Sequence, residues 1–140
     1  MLGLSTATIL VGAIALATVL IYVPFTLVAY NRFALGYDLS APRSMFDKLP
    51  PYAQRAMWAH QNALETFAPF VAAAILAYLI QPENSAWVVG SAVAFVVARL
   101  LYSIFYIADL PLLRSLMFGI GSISTGTLLI LSLLSVASIR

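Results

Sequence analysis

The stretch RAMWAHQNALETFAPF, residues 55–70, sets a carboxylate, an amide and an imidazole at the head of an otherwise apolar helix. On a helical wheel at about 100° per residue, Arg55, Trp58, Asn62, Glu65 and Pro69 share one stripe, while His60 falls on the opposite side with Ala63 and Phe67. Two polar faces therefore need partners. From Leu64 to Ile80 only Glu65 and Thr66 interrupt the apolar run. Glu65 is thus expected inside a membrane boundary, where an ionisable side chain is expensive and marks a functional site whose partner has to be found.

The surrounding chain has the composition of a membrane protein. With 63% hydrophobic and 9% charged residues and a mean hydropathy of +1.00, these 140 residues lie far from a soluble globular domain, in which about 25% of residues are charged. The length suits one domain, residues 1–140, made of about four spans of roughly 20 to 28 residues each. The net charge of +2 comes from a few loop arginines and not from a basic patch, so no nucleic-acid binding is expected. The absence of cysteine excludes a disulfide framework, a thiolate nucleophile and a thiolate metal site, and any thiol chemistry has to come from a ligand. His60 is the single histidine, which removes a histidine-rich metal site, and there is no Ser/His/Asp motif; no metal is expected.

Read in order, the chain divides into an all-α, integral membrane four-helix bundle. The first span covers about 3–30, and since no Lys or Arg precedes Arg32 it lacks the basic head of a cleavable signal peptide and is expected to be retained. Pro24 is expected to kink it. Residues 31–52, with Asn31, Arg32, Asp38, Arg43, Asp47, Lys48, Gly36 and three prolines, read as one long polar loop. The second span runs over about 52–80 and turns at Gln81-Pro82-Glu83-Asn84, the third covers about 86–107, and Ala108-Asp109-Leu110-Pro111 leads into the fourth at about 112–139. Arg32, Arg43, Lys48 and Arg55 flank the first loop, Arg114 flanks the third, and the second has no basic residue, so the first and third loops are expected to be cytoplasmic and both termini non-cytoplasmic. The small residues Gly119, Gly121, Ser122, Ser124 and Gly126 are expected to let the fourth helix approach its neighbours closely.

The third span carries a second polar stripe: Arg99, Tyr102, Ser103 and Tyr106. Counted from the loop end at roughly 1.5 Å per residue, Glu65 lies about 20 Å along its helix and Arg99 about 14 Å along its own. An unpaired arginine at such depth costs several kcal/mol, so a contact between Arg99 and Glu65 is expected, within or between subunits. The plainer reading is that this pair only fixes helix register. Asn62, Tyr102, Tyr106, Arg114, Ser115 and Arg32 fall in the same half of the bilayer or at its surface, and this clustering favours a cavity with several cationic groups for a small polyanionic ligand. Tyr22, Tyr30, Tyr52, Tyr78, Trp58 and Trp87, near span ends, read as interface-belt aromatics, and His60 as a structural hydrogen-bonding residue.

RAMWAHQNALETFAPF at 55–70, ARLLYSIFYIADLPLLRS at 98–115 and the four-span layout with one long first loop together resemble the membrane-associated proteins in eicosanoid and glutathione metabolism, the MAPEG family, in particular a bacterial branch of it. The resemblance implies a homotrimer of four-helix subunits, glutathione bound between neighbouring subunits, and a lipophilic substrate entering from the bilayer. It implies that Asn62, Glu65 and Tyr106 contact glutathione, that Arg32 and Ser115 are further contacts, and that Arg114, which with Ser115 matches an Arg-Ser pair of the family, is the catalytic arginine that stabilises the glutathione thiolate. Arg99 and Tyr102 join this cofactor-binding set from their place on the third span. The chain departs from the family's glutathione enzymes at Trp58 and Gln61, where those have basic residues, at Tyr102, which replaces a histidine, and at Phe118, which replaces a tyrosine.

The function so implied is a membrane-bound glutathione-dependent transferase or peroxidase acting on lipophilic electrophiles in a bacterial plasma membrane. Its partners are further copies of itself, membrane lipids and lipophilic small molecules. The alternative, favoured by Trp58, Gln61 and Phe118, is a non-catalytic lipid-binding or scaffold protein of the same fold. A small transporter fits less well, because no span is broken into half-helices.

Overall fold

Four long helices follow from four apolar runs separated by proline-marked turns. The computed structural model describes residues 4–82 and 85–138, and among these the chain is all-helical. α1 spans Thr6–Ala34, a short 3-10 helix Pro42–Lys48, α2 Pro51–Ile80, α3 Ser85–Ile107 and α4 Pro111–Ala137. Each of α1 to α4 is long and apolar enough to cross a membrane. Glu83, Asn84, the expected start at residue 3 and the expected end at 139 lie outside the described residues.

Local chemistry sets the helix ends. The Ser5 hydroxyl accepts from the Thr8 N–H at 3.1 Å and caps α1. Pro51 and Pro111 each open a helix at the position where a missing N–H costs nothing. Gln81 closes α2 in the left-handed conformation at φ 52°, its N–H returning to the Ala77 carbonyl.

One expectation needs correction at the end of α1. Asn31 and Arg32 are not loop residues but the buried last turn of the helix. The Asn31 side chain donates to the Leu27 carbonyl at 2.8 Å and accepts from the Tyr52 hydroxyl at 3.0 Å, so the helix gains polar partners where the apolar run ends. The connecting segment is also not formless. Pro42 starts the 3-10 turn, Met45 is buried beneath it, and Asp38 accepts from the Ser40 N–H, the Ser40 hydroxyl and the Ala41 N–H. Those hydrogen bonds, the Ser40 hydroxyl first, hold the Asp38 carboxyl below its ordinary range.

α2 and α3 form the short diagonal of the bundle, each packed on the other three helices, while α1 and α4 take the outer corners. The main core is built from Leu10, Ala13, Ala17, Phe70, Ala73, Ala74, Ala77, Val88, Ala92, Phe95 and Leu128. At its centre Phe70 and Phe95 stack face to face with ring centroids 3.7 Å apart. Lipid solvates apolar side chains as well as protein does, so helix association relies on close packing, and small residues permit it. The alanines of α2 and α3 provide that closeness more than the glycines of α4. A Cβ at Gly121 would meet Arg99 and Phe95, whereas none at Gly119 or Gly126 would meet anything within 4 Å.

Candidate functional site

The polar residues gather at the end of the bundle that holds the 35–50 segment and the α3–α4 turn. Trp58, Gln61, Asn62 and Glu65, one face of α2, and Tyr102 and Tyr106 of α3 line an open groove of about 380 Å³. The spacing of three and four residues along both helices is the reason these side chains meet. Trp58 is a groove wall and not only a belt aromatic: its ring lies 6.3 Å from Tyr106 and 5.7 Å from Phe46. Trp58 and Gln61 are thus the groove residues that their departure from the family pattern left out of the expected set, although the wheel already put Trp58 on the Asn62 and Glu65 stripe.

Arg99 forms the back of the site and is only 4% exposed. Its Nη2 donates to the Asn62 Oδ1 at 2.9 Å, and its guanidinium lies over the Tyr102 ring at 4.1 Å. The expected direct contact with Glu65 is not made within the chain. Asn62 stands between them, its amide nitrogen 3.4 Å from the Glu65 Oε2, and Glu65 is exposed. The physical reason is reach: Asn62 lies one helical turn nearer the loop end than Glu65, and its neutral carbonyl satisfies a guanidinium donor without burying a carboxylate. Arg99 Nε has no hydrogen-bond partner among the described residues.

Arg114 comes to the same end from α4. Its guanidinium stacks over the Tyr106 ring at 4.7 Å, and Tyr106 meets Tyr102 edge-on at 5.6 Å. A series of two rings between two cations, Arg99 to Tyr102 to Tyr106 to Arg114, therefore runs from the interior to the rim, each contact favoured by the ring quadrupole. Ser115 is exposed beside Arg114, with no hydrogen bond from its hydroxyl among the described residues. Arg32 is not part of the groove: it is buried, its guanidinium 5.8 Å from the Phe25 ring. Of the expected site residues, one subunit thus joins Asn62, Glu65, Arg99, Tyr102, Tyr106 and Arg114, and leaves Arg32 and Ser115 apart.

Two further residues organise this end. Arg55 donates from Nε to the Ile107 carbonyl at 3.1 Å, capping α3, and its Nη1 lies 3.7 Å from the Asp109 Oδ2 in the ion pair that pins the α3–α4 turn. His60 Nδ1 lies 2.7 Å from the Ile21 carbonyl on α1, three residues before Pro24, and an acceptor there means that Nδ1 carries the proton. This is the structural role read from the wheel.

Beside the groove lies a second space. A cleft of about 200 Å³ between α2, α3 and α4 is bordered by Thr66, Pro69, Arg99, Phe118, Gly121 and Ser122, among others. The two spaces have no lining residue in common: Arg99 and Phe118 border the cleft, Tyr102 lines the groove, and the Tyr102 ring lies 4.1 Å from the Arg99 guanidinium and 6.4 Å from the Phe118 ring.

A model of the MAPEG family matches residues 9–134. The chain belongs to the MAPEG family. No curated protein and no solved structure matches it. The match covers all four apolar helices except their outermost turns, and family and helices together make this chain an integral membrane protein. In this MAPEG chain the groove, the cation and ring series and the cleft all fall inside the matched residues.

Proposed function

We propose that this MAPEG protein is a glutathione-dependent transferase or peroxidase acting on lipophilic electrophiles dissolved in the bilayer. The observation that supports the reading is a polar groove with a second cleft next to it among the apolar helices, Tyr102 of the groove lying against Arg99 of the cleft. Two reactants of opposite polarity need adjoining compartments, and holding them there supplies much of the rate through proximity. The donor set of the groove fits the tripeptide. The exposed Glu65 carboxylate suits an ammonium, Asn62 and Gln61 suit peptide amides, and Arg114 supplies a cation for an anionic group.

The tripeptide supplies the thiol that this cysteine-free chain lacks. Arg114 acts electrostatically at the rim: a guanidinium beside a thiol favours the thiolate and lowers its pKa from about 8.5 toward neutrality. Asn62 and Glu65 orient the peptide portion, and Arg99 holds Asn62. Tyr106, stacked under Arg114, fixes where that charge stands. The native assembly is proposed to be a homotrimer in a bacterial plasma membrane, with the groove facing the cytoplasm, in keeping with the basic residues at that end. Trp58 and Gln61 lower the positive charge of the groove and support the second reading, a non-catalytic lipid-binding protein of the same fold.

The test is glutathione at millimolar concentration with the detergent-solubilised protein. A ligand that binds only the folded state raises the melting temperature. A rise, together with a loss of roughly 100-fold or more in glutathione-dependent turnover in Arg114→Ala, is the expected result, the size being that of a removed transition-state donor. No melting shift favours the lipid-binding reading, and unchanged turnover in a folded Arg114→Ala refutes the assigned role.

A further inference from the structure

The charges of the groove do not balance those of glutathione. Its lining is Trp58, Gln61, Asn62, Glu65, Tyr102 and Tyr106, so among the described residues no lysine or arginine forms its wall, and Glu65 gives it a negative charge. Two guanidiniums stand at its edges. Arg99 is buried behind Asn62, with Nη2 bonded to that amide, and Arg114 lies over the Tyr106 ring. Glutathione as the thiolate brings an ammonium, two carboxylates and the sulfur anion. Glu65 takes the ammonium and Arg114 the sulfur, which leaves Arg99 for the carboxylate beside the ammonium. The second carboxylate, at the glycyl end, has no cation left.

The reach of a tripeptide fixes where that end falls. Glu65 and Trp58 lie on one stripe of α2, roughly 10 Å apart along the axis at about 1.5 Å per residue. A tripeptide at full extension, at roughly 3.3 to 3.6 Å per residue, spans about the same length. From Glu65 toward the membrane interior the stripe continues to Pro69, which offers no polar side chain, so the ligand runs the other way. Its far end then lies at Gln61 and Trp58, both exposed and both neutral. The next residue of the stripe, Arg55, is already engaged by the Ile107 carbonyl and the Asp109 carboxylate. Gln61 offers an oxygen and a nitrogen, and Trp58 an indole N–H. A primary amide uses the oxygen and the nitrogen of Gln61 together, whereas a carboxylate uses the nitrogen alone.

We infer that the thiol co-substrate is a γ-glutamyl thiol whose glycyl end is a neutral amide, and that Gln61 and Trp58 recognise that end. Two guanidiniums and the ammonium then balance Glu65, the thiolate and one carboxylate. The inference rests on the proposed transferase reading, because it takes Arg114 as the partner of the sulfur.

Glutathione and glutathione amide, in which the glycyl carboxylate is a primary amide, are the probes. Melting shifts of the full chain in mild detergent, across a concentration series of each thiol, give the two affinities. The amide should bind about three- to five-fold more tightly, the factor carried by one charge at a solvent-exposed site. Gln61→Arg supplies the missing cation at an exposed position and should erase or reverse the preference by raising the affinity for glutathione alone. Arg114→Ala should weaken both thiols by the same factor, since the sulfur is common to them. Equal or tighter binding of glutathione by the unaltered protein overturns the inference. So does a loss in Arg114→Ala confined to glutathione, which places that guanidinium on the carboxylate, and so does an unchanged preference in a folded Gln61→Arg. If Gln61→Arg loses its melting transition, the unaltered protein and Arg114→Ala decide. Binding of neither thiol sinks the transferase reading, whereas glutathione binding with no preference for the amide sinks this inference alone.

Discussion

Between Phe70 and Ala77, α2 buries Phe70, Ala73, Ala74 and Ala77 against α1 and α3 with no side-chain hydrogen bond among the described residues. Between Tyr52 and Glu65 the same helix ties itself to its surroundings at nearly every turn: Tyr52 to Asn31, Arg55 to Ile107, His60 to Ile21 and Asn62 to Arg99. The two halves solve different problems. In hydrocarbon an apolar face gains little by leaving lipid, so the first half depends on dispersion between closely spaced backbones. Such packing holds helices together but places no charge. The second half uses hydrogen bonds whose directions place individual groups, and it is there that the groove and the cleft meet.

The contrast can be broken most forcefully at the Phe stack. Phe95→Ala removes a ring 3.7 Å from Phe70 and should lower unfolding stability by on the order of 3 kcal/mol or more, measured by thermal or denaturant melting in detergent. A loss below about 1 kcal/mol would mean that the apolar half is loosely packed. Next comes the link between Asn62 and Arg99. In a mutant cycle with Asn62→Leu and Arg99→Met, a coupling of about 1.5 to 3 kcal/mol is expected for a hydrogen bond to a charged group. The cycle of Glu65→Gln with Arg99→Met should couple by less than about 0.5 kcal/mol, since the two side chains share no direct contact. A reversal of these sizes would restore a direct pair of Glu65 and Arg99, made between subunits.

His60→Phe keeps a ring near Phe25, whose centroid lies 4.9 Å from that of His60, and loses only the bond to Ile21. It should cost about 1 kcal/mol and leave glutathione binding unchanged. A change in the pH profile of turnover would instead give His60 a part in the chemistry. The smallest effect belongs to the 35–50 segment. The Asp38 carboxyl is lowered in the folded chain, so its contribution is present above the ordinary carboxyl value of about 3.9 and is lost as pH falls through the lowered folded value. Limited proteolysis should find the segment loosening only at acid pH, and Ser40→Ala, which removes the main cause of the shift, should move the loosening to higher pH.

The class of fold was legible in composition and in the lengths of the apolar runs, because hydrocarbon demands that every backbone polar group be satisfied within the span. The identity of the polar end was equally legible: Asn62, Glu65, Arg99 and Tyr106 stand out against apolar neighbours at helical spacing. Residues 31–34 were not legible as helix, because Asn31 and Arg32 look like loop residues until Tyr52 of α2 bonds Asn31 and the Phe25 ring, two turns back on α1, lies beside Arg32. The alanine face of α2 gave no signal either, since alanine suits lipid and protein alike.

By itself the sequence determined that the chain crosses the membrane in four helices and which side chains cannot be left facing lipid, for both follow from the local cost of polarity in hydrocarbon. Only the tertiary structure decided which of those side chains meet. Periodicity assigns a residue to a face of its own helix and is silent on the rotation and offset of the helix opposite. So the wheel could pair the stripe of Glu65 with the stripe of Arg99, and the offset of α2 against α3 decided that Asn62, one turn away, receives the arginine.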